Sequence, residues 1–142
     1  MAVPAGHRFP IEFDTVFPEG AYVTGVEPVF EYGQQTGGGV KRQAKDERSG
    51  ELLWAVSVTD PSGKGRQAAV TVKIAAPHQP VPPETIAGTP FRPVLFDGLT
   101  ATPYLDDHTK RLAYSLRATG MRAVQARTAS RSSGPAEQKP AA

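Results

Sequence analysis

The chain has 142 residues, the size of one domain, and its lack of cysteine excludes disulfide frameworks and thiolate zinc sites. Glycine and proline number 14 each, a composition that favours short strands and turns over long helices. The formal net charge is +2, but residues 121–142 carry +3 and the remainder −1, which argues against a strongly basic nucleic-acid-binding body.

No apolar run approaches the roughly 18 residues that a membrane helix requires. The segment MAVPAGHRFPIEF lacks the charged stretch followed by an apolar block that marks a signal peptide. We therefore expect a cytoplasmic protein with no membrane association.

Residues 1–20 predict an extended lead-in that packs on the domain. Apolar side chains alternate at Phe9, Ile11 and Phe13, and they give this segment too much apolar surface for a free linker. The domain itself is placed at residues 21–120.

The first main strand is predicted over residues 21–32, where Gly25 indicates a bulge or a bend. A polar stretch follows over residues 33–50, and its three consecutive glycines predict a loop at a hairpin tip. The simpler interpretation of its cations is that they lie on a solvated loop. The functional interpretation is that they contact the phosphates of a nucleic acid. These cations are Lys41, Arg42, Lys45 and Arg48.

The clearest pattern in the chain is an antiparallel hairpin over residues 50–76. Apolar and other side chains alternate strictly over residues 52–59 and 68–74, which is the mark of strands with one buried face. Turn formers at residues 60–65 separate the two runs. Trp54 shares the apolar parity of its strand, so a core position is favoured over a stacking position.

A bent strand is predicted over residues 91–104, after a proline-rich stretch that disfavours a long helix because proline lacks the N–H and clashes with the preceding turn. The apolar parity changes at Gly98, as it does at a bulge.

The last strand is predicted over residues 111–119, after a turn whose Asp106-Asp107-His108 cluster is assigned to a solvated tip rather than to a metal or acid–base site. Its alternation assigns four side chains to the interior, Leu112, Tyr114, Leu116 and Ala118. Residues 121–142 are predicted to be a flexible basic tail, because they have almost no large apolar side chain.

These elements predict an all-β fold, a five-stranded OB-like Greek-key barrel with a disordered basic C-terminal tail. A β-sandwich or an SH3-like barrel is the alternative.

Five segments, in this order, carry a family resemblance: FPEGAYVTGVEPV, SGELLWAVSVTD, VTVKIAAP, GTPFRPVLFDGLTATPY and RLAYSLRATGMR. Together they resemble the actinobacterial plasmid replication, integration and excision activators, which are encoded on integrative and conjugative elements. The resemblance covers roughly residues 9–122 and implies an accessory or regulatory role in replication and transfer of the element. The segments are similar, more loosely, to single-stranded-DNA-binding OB domains, but this chain ends in a basic tail instead of an acidic tail with an aromatic tip.

Enzyme motifs are absent from the sequence: it has no nucleophile elbow, no P-loop and no Gly-rich dinucleotide motif. His7, His78 and His108 lie far apart and lack metal-ligand spacing. We therefore expect no enzymatic activity, no cofactor and no bound metal.

Single-strand binders combine aromatic platforms with a cationic groove. The resemblance implies an accessory role in replication and excision of an integrative element, and we expect a non-enzymatic protein that fills this role by binding single-stranded DNA. The candidate binding residues are Tyr32, Lys41, Arg42, Lys45, Arg48, Lys73, Tyr104, Lys110 and Arg111. The alternative is a protein-interaction module or transcriptional co-regulator that binds a replication initiator, or another replication or transfer protein, rather than DNA. A structural protein of a phage or element is a third hypothesis, and a homo-oligomer is compatible with each of them.

Overall fold

A computed structural model describes residues 2–31 and 42–124 of the chain. The elements of this part are β1 (Phe9–Pro10), α1 (Phe13–Val16), β2 (Ala21–Pro28), β3 (Leu53–Thr59), a short 3₁₀ helix (Gly65–Ala68), β4 (Ala69–Ala75), β5 (Pro93–Asp97), β6 (Thr100–Leu105), β7 (Leu112–Ala118) and β8 (Gly120–Ala123). The strands form one sheet in the order β1-β6-β7-β4-β3-β2-β5-β8. Neither helix of the described ranges is long and apolar enough to cross a membrane.

The all-β class is confirmed, but the described sheet has eight strands and not the expected five. The predicted bent strand is divided at Gly98 into β5 and β6, and Gly98 has a φ of +62° that favours glycine. The short strands β1 and β8 border β6 and β5. The four residues of β8 are too few to show a period in the sequence, whereas β1 lies at the start of the alternation of Phe9, Ile11 and Phe13. That alternation does not continue as extended chain, because Phe13–Val16 forms α1.

The central hairpin has the predicted form. β3 and β4 pair antiparallel from Leu53 opposite Ala75 to Thr59 opposite Ala69. β2 lies on the other side of β3, and its register shifts between Val23 and Gly25, which confirms the bulge. Residues 76–92 contain no helix or strand, in agreement with their proline content.

The core lies between the strands and the N-terminal segment. Phe17 is fully buried, and its ring lies 5.2 Å from that of Phe13 and 6.2 Å from that of Phe96. Trp54 is also buried, and its Nε1 donates a hydrogen bond of 2.9 Å to the carbonyl oxygen of Ala76. The core position of Trp54 is therefore confirmed.

One expectation for β7 is wrong. Leu116 is 8% exposed and Ala118 is buried, but Leu112 is 62% and Tyr114 is 59% exposed. Only residues 116–118 of β7 pair with β4, in a parallel ladder, whereas the first half of β7 pairs with β6 alone. Leu112 and Tyr114 in that first half have the interior parity, but no further strand of the described residues pairs beside them to continue the body of the sheet.

Candidate nucleic-acid interface

The separation of β4 from β7 leaves a groove of about 1090 Å³, which we call the β4–β7 groove. Residues 72–74 of β4 pair with residues 116–118 of β7, and the preceding residues of both strands are not paired with each other. On its other edge, the preceding segment of β4 pairs with β3. The preceding segment of β7 pairs in the same way with β6. The groove is therefore built into the topology of the sheet.

The β4–β7 groove brings together Lys73, Tyr104 and Arg111, three predicted binding residues that come from different parts of the sequence. It adds two residues that the prediction missed, Tyr114 and Arg66. Tyr104 and Tyr114 are both exposed, so their rings are available to a ligand. An exposed aromatic beside cations is the combination that single-stranded nucleic acids require.

The two tyrosines lie on opposite faces of the β6–β7 hairpin. Tyr104 is opposite Ala113 in the register, and Tyr114 is opposite Pro103. Parity in the sequence placed Tyr114 correctly on the face of Leu116, but parity does not report whether that face is covered. The extent of the β4 pairing decides the exposure of Tyr114, and no local pattern in the sequence contains that information.

A second cavity of about 320 Å³ lies beside the groove, and we call it the Asp46 pocket. Lys73 lines both cavities, so they adjoin at this side chain. The pocket is lined by four cationic side chains, Arg8, Arg48, Lys73 and Arg117. Arg48 and Lys73 belong to the predicted set, whereas Arg8 and Arg117 do not.

Asp46 organises this pocket. It is 6% exposed, and its Oδ1 accepts hydrogen bonds from Arg8 Nη2 at 2.9 Å and from Arg117 Nη1 at 2.5 Å. Its Oδ2 accepts the backbone N–H groups of Arg48 and Ser49 at 3.1 and 3.0 Å. Burial raises the pKa of Asp46, but these N–H donors and the charge of Arg8 outweigh it and lower the pKa from 3.8 to about 2.

Among residues 2–31 and 42–124, Lys73 has no comparable anionic partner. It lies opposite Arg117 in the parallel ladder, and burial together with the charge of Arg117 lowers the pKa of Lys73 from 10.5. Among the described residues, none forms a hydrogen bond or an ion pair with its ammonium group. The ammonium group is thus partly removed from water and faces a like charge.

The other predicted binding residues lie elsewhere. Tyr32 and Lys41 are outside the described residues. Arg42, Lys45 and Lys110 are exposed and line neither cavity.

The Asp106-Asp107-His108 cluster forms the hairpin turn that the sequence predicts. The Asp106 carboxylate accepts the backbone N–H of His108 at 2.7 Å and that of Thr109 at 3.2 Å, and the Thr109 bond is the main cause of its lowered pKa. Within residues 2–31 and 42–124, no three His, Asp or Glu side chains are grouped as metal ligands.

Comparison of the chain with family models, curated proteins and solved structures finds no match. The resemblance to activators of integrative elements therefore stays a prediction from the sequence.

Proposed function

We propose that this protein binds single-stranded DNA in the β4–β7 groove, as a non-enzymatic accessory protein of an integrative element. One observation carries the binding proposal: a single groove combines two exposed tyrosines with the cations Arg66, Lys73 and Arg111. Aromatic faces stack on bases of any sequence, and cations follow the phosphate backbone. The role in replication and excision of an element rests on the sequence resemblance alone.

An OB-like Greek-key barrel is the architecture that we propose for the sheet. If β5 and β6 are two halves of one strand bent at Gly98, the order of pairing runs from that strand through β2, β3, β4 and β7 and returns to it. The parallel pairing of β4 with β7 supports this arrangement. OB-folds bind oligonucleotides on their second and third strands and on adjacent loops, which here are β3, β4 and the β6–β7 hairpin.

The expected affinity is modest. The groove has three cations, and each phosphate contact on a single strand contributes about 0.7 to the slope of log K against log salt. The whole groove then contributes a slope of about −2, and the dissociation constant is on the order of micromolar at physiological salt. Stacking on a tyrosine adds about 1–3 kcal/mol per base, without preference for sequence.

Fluorescence anisotropy with a labelled strand of about 30 nucleotides and its matching duplex, at about 50 and 200 mM salt, tests the proposal. We expect the single strand to bind more tightly than the duplex, and we expect its binding to weaken as salt rises. The double variant Arg66→Ala/Arg111→Ala should flatten the salt slope. The matched control is Lys64→Ala/Arg122→Ala, since both of these cations are exposed and line neither cavity. An unchanged slope in the groove variant, or no binding by the natural protein, would contradict the proposal.

A protein partner is the second candidate. Leu105 and Leu112 are opposite each other in the β6–β7 register, and both side chains are well exposed. Exposed apolar pairs suit a protein surface, such as a replication initiator, better than a phosphate backbone. If neither DNA form binds, and a host protein is retained by the natural chain but not by Leu105→Asn/Leu112→Asn, this second function replaces the first.

A further inference from the structure

The Asp46 pocket contains more positive charge than its own carboxylates neutralise. Asp46 is occupied by Arg8 and Arg117, and Glu51 is the other carboxylate in the lining. The side chains of Arg48 and Lys73 have no carboxylate partner among the described residues. A pocket with this balance has the electrostatics of an anion site.

Lys73 makes the case for a bound anion stronger. A cation that is partly removed from water destabilises the fold unless an opposite charge compensates it. Here the facing group in the ladder is Arg117, which is a further cation. An anion beside Lys73 would compensate its charge, and the hydroxyl groups of Ser49 and Thr100 in the pocket lining are available as hydrogen-bond donors. The hydroxyl group of Thr119 already donates to the carbonyl oxygen of Asp97.

The size of the Asp46 pocket limits what it can hold. Its volume of about 320 Å³ is at the lower end of the roughly 300–1,000 Å³ that small-molecule sites occupy. That space suits a phosphate group or one nucleotide, not a length of polynucleotide. A terminal phosphate has a charge of about −1.5 to −2 at pH 7, more than the single charge of a backbone phosphodiester, so it compensates the pocket more completely.

We propose that the Asp46 pocket binds a phosphomonoester, the terminal phosphate of a DNA strand whose adjoining nucleotides lie in the β4–β7 groove. The proposal rests on the single-strand binding proposed above. Lys73 lines both cavities and would contact the terminal phosphate and the first nucleotide. Asp46 would act as a positioning residue that holds the guanidinium groups of Arg8 and Arg117 at the wall of the pocket. A free nucleotide offers the same phosphomonoester, so the test must separate these two sources.

The test compares three internally labelled strands of one sequence, with a 5′-phosphate, with a 3′-phosphate and with no terminal phosphate. We expect one phosphorylated strand to bind roughly 5-fold or more tightly than the unphosphorylated one, which corresponds to about 1 kcal/mol. Arg48→Ala should remove this preference, so that the phosphorylated and unphosphorylated strands bind with the same affinity. The Arg48 side chain forms no hydrogen bond with a described residue, so the variant should fold. Lys64→Ala, an exposed cation outside both cavities, is the matched control.

Each outcome supports or overturns one of the two proposals. Equal binding of all three strands would overturn the terminal-phosphate site and leave the groove proposal standing. If no strand binds, but a deoxynucleoside monophosphate raises the melting temperature and inorganic phosphate does so less, the pocket binds free nucleotides and the groove proposal fails. If neither the strands nor the mononucleotide acts on the protein, both proposals are wrong.

Discussion

The two halves of β7 have the same alternation of side chains but different surroundings. Leu112 and Tyr114 in the first half are exposed, whereas Leu116 and Ala118 in the second half are buried. The second half lies between β6 and β4, and the first half has β6 alone. Alternation therefore states which face a side chain occupies, and the neighbouring strand decides whether that face is covered.

The same difference divides structural from functional roles along β7. The second half completes the core and holds Arg117 against Asp46. The first half leaves the β4–β7 groove open and presents Tyr114 to it. If this comparison is right, substitutions in the second half should lower stability, and substitutions in the first half should lower binding.

The largest expected effect is the contrast between Leu116→Ala and Leu112→Ala. Truncation of the buried Leu116 should lower the free energy of unfolding by about 2–4 kcal/mol, because it removes apolar contacts and leaves a cavity. Truncation of the exposed Leu112 should lower it by less than about 0.5 kcal/mol. Urea denaturation followed by Trp54 fluorescence measures both values. Equal losses would mean that Leu112 is covered in solution, as in a homo-oligomer.

The next largest effect is expected at Asp46, whose carboxylate binds Arg117 of β7. Asp46→Asn should lower the free energy of unfolding by about 2–3 kcal/mol, because it leaves the guanidinium groups of Arg8 and Arg117 without their buried carboxylate. Exposed Asp107→Asn is the control and should change little. If Asp46→Asn lowers the free energy of unfolding by no more than Asp107→Asn does, the Asp46 contacts do not stabilise the fold.

The pH dependence of stability follows from the lowered pKa of Asp46. The pKa of about 2 in the folded chain is below the ordinary value of 3.8, so the contribution of Asp46 is complete above about pH 4 and is lost as the pH falls toward 2. The difference between the natural chain and Asp46→Asn should therefore shrink over this interval. Unfolding measured at a series of pH values from 2 to 6 checks this. A difference that stays constant down to pH 2 would contradict the assigned ion pairs.

Substitutions in the first half of β7, and in β6 with which it pairs, should weaken the binding of single-stranded DNA. Tyr114→Ala and Tyr104→Ala should each weaken binding of a single strand about 10-fold, the loss of one stacked base, with little change in stability. Phe91→Ala is the control, because Phe91 is an exposed aromatic that lies outside both cavities. Anisotropy titrations give the three affinities. A loss for Phe91→Ala that equals the losses for the tyrosines would place the contact elsewhere on the molecule.

The smallest expected effects are those of a substitution at Lys73, which should change stability and DNA affinity in different directions. Lys73→Met keeps the aliphatic stem and removes a half-buried charge that faces Arg117, so stability should stay the same or rise by up to about 1 kcal/mol. Affinity for the single strand should fall a few-fold, because one phosphate contact is lost. Thermal unfolding and anisotropy on the same sample measure both quantities. A loss of stability would indicate a structural role for the ammonium group.

Local patterns in the sequence predicted the parts of the fold that depend on near neighbours. The β3–β4 hairpin, the bulge near Gly25 and the break at Gly98 are of this kind. The Asp46 contacts join residues 38 and 71 positions apart, and the opening of the groove depends on where a parallel ladder ends. No alternation or motif reports such distances, so Arg8, Arg117 and the exposure of Tyr114 could not be predicted.

The most direct test of the account is to map amide chemical shifts by NMR while a single strand is added to the full-length protein. We expect the perturbed amides to cluster at residues 66–73, 104 and 111–115, the walls of the β4–β7 groove. The exposed apolar surface around Val81 and Phe91 should stay unchanged. Perturbations confined to that surface, or none at saturating DNA, would contradict the assignment of this groove as the nucleic-acid interface.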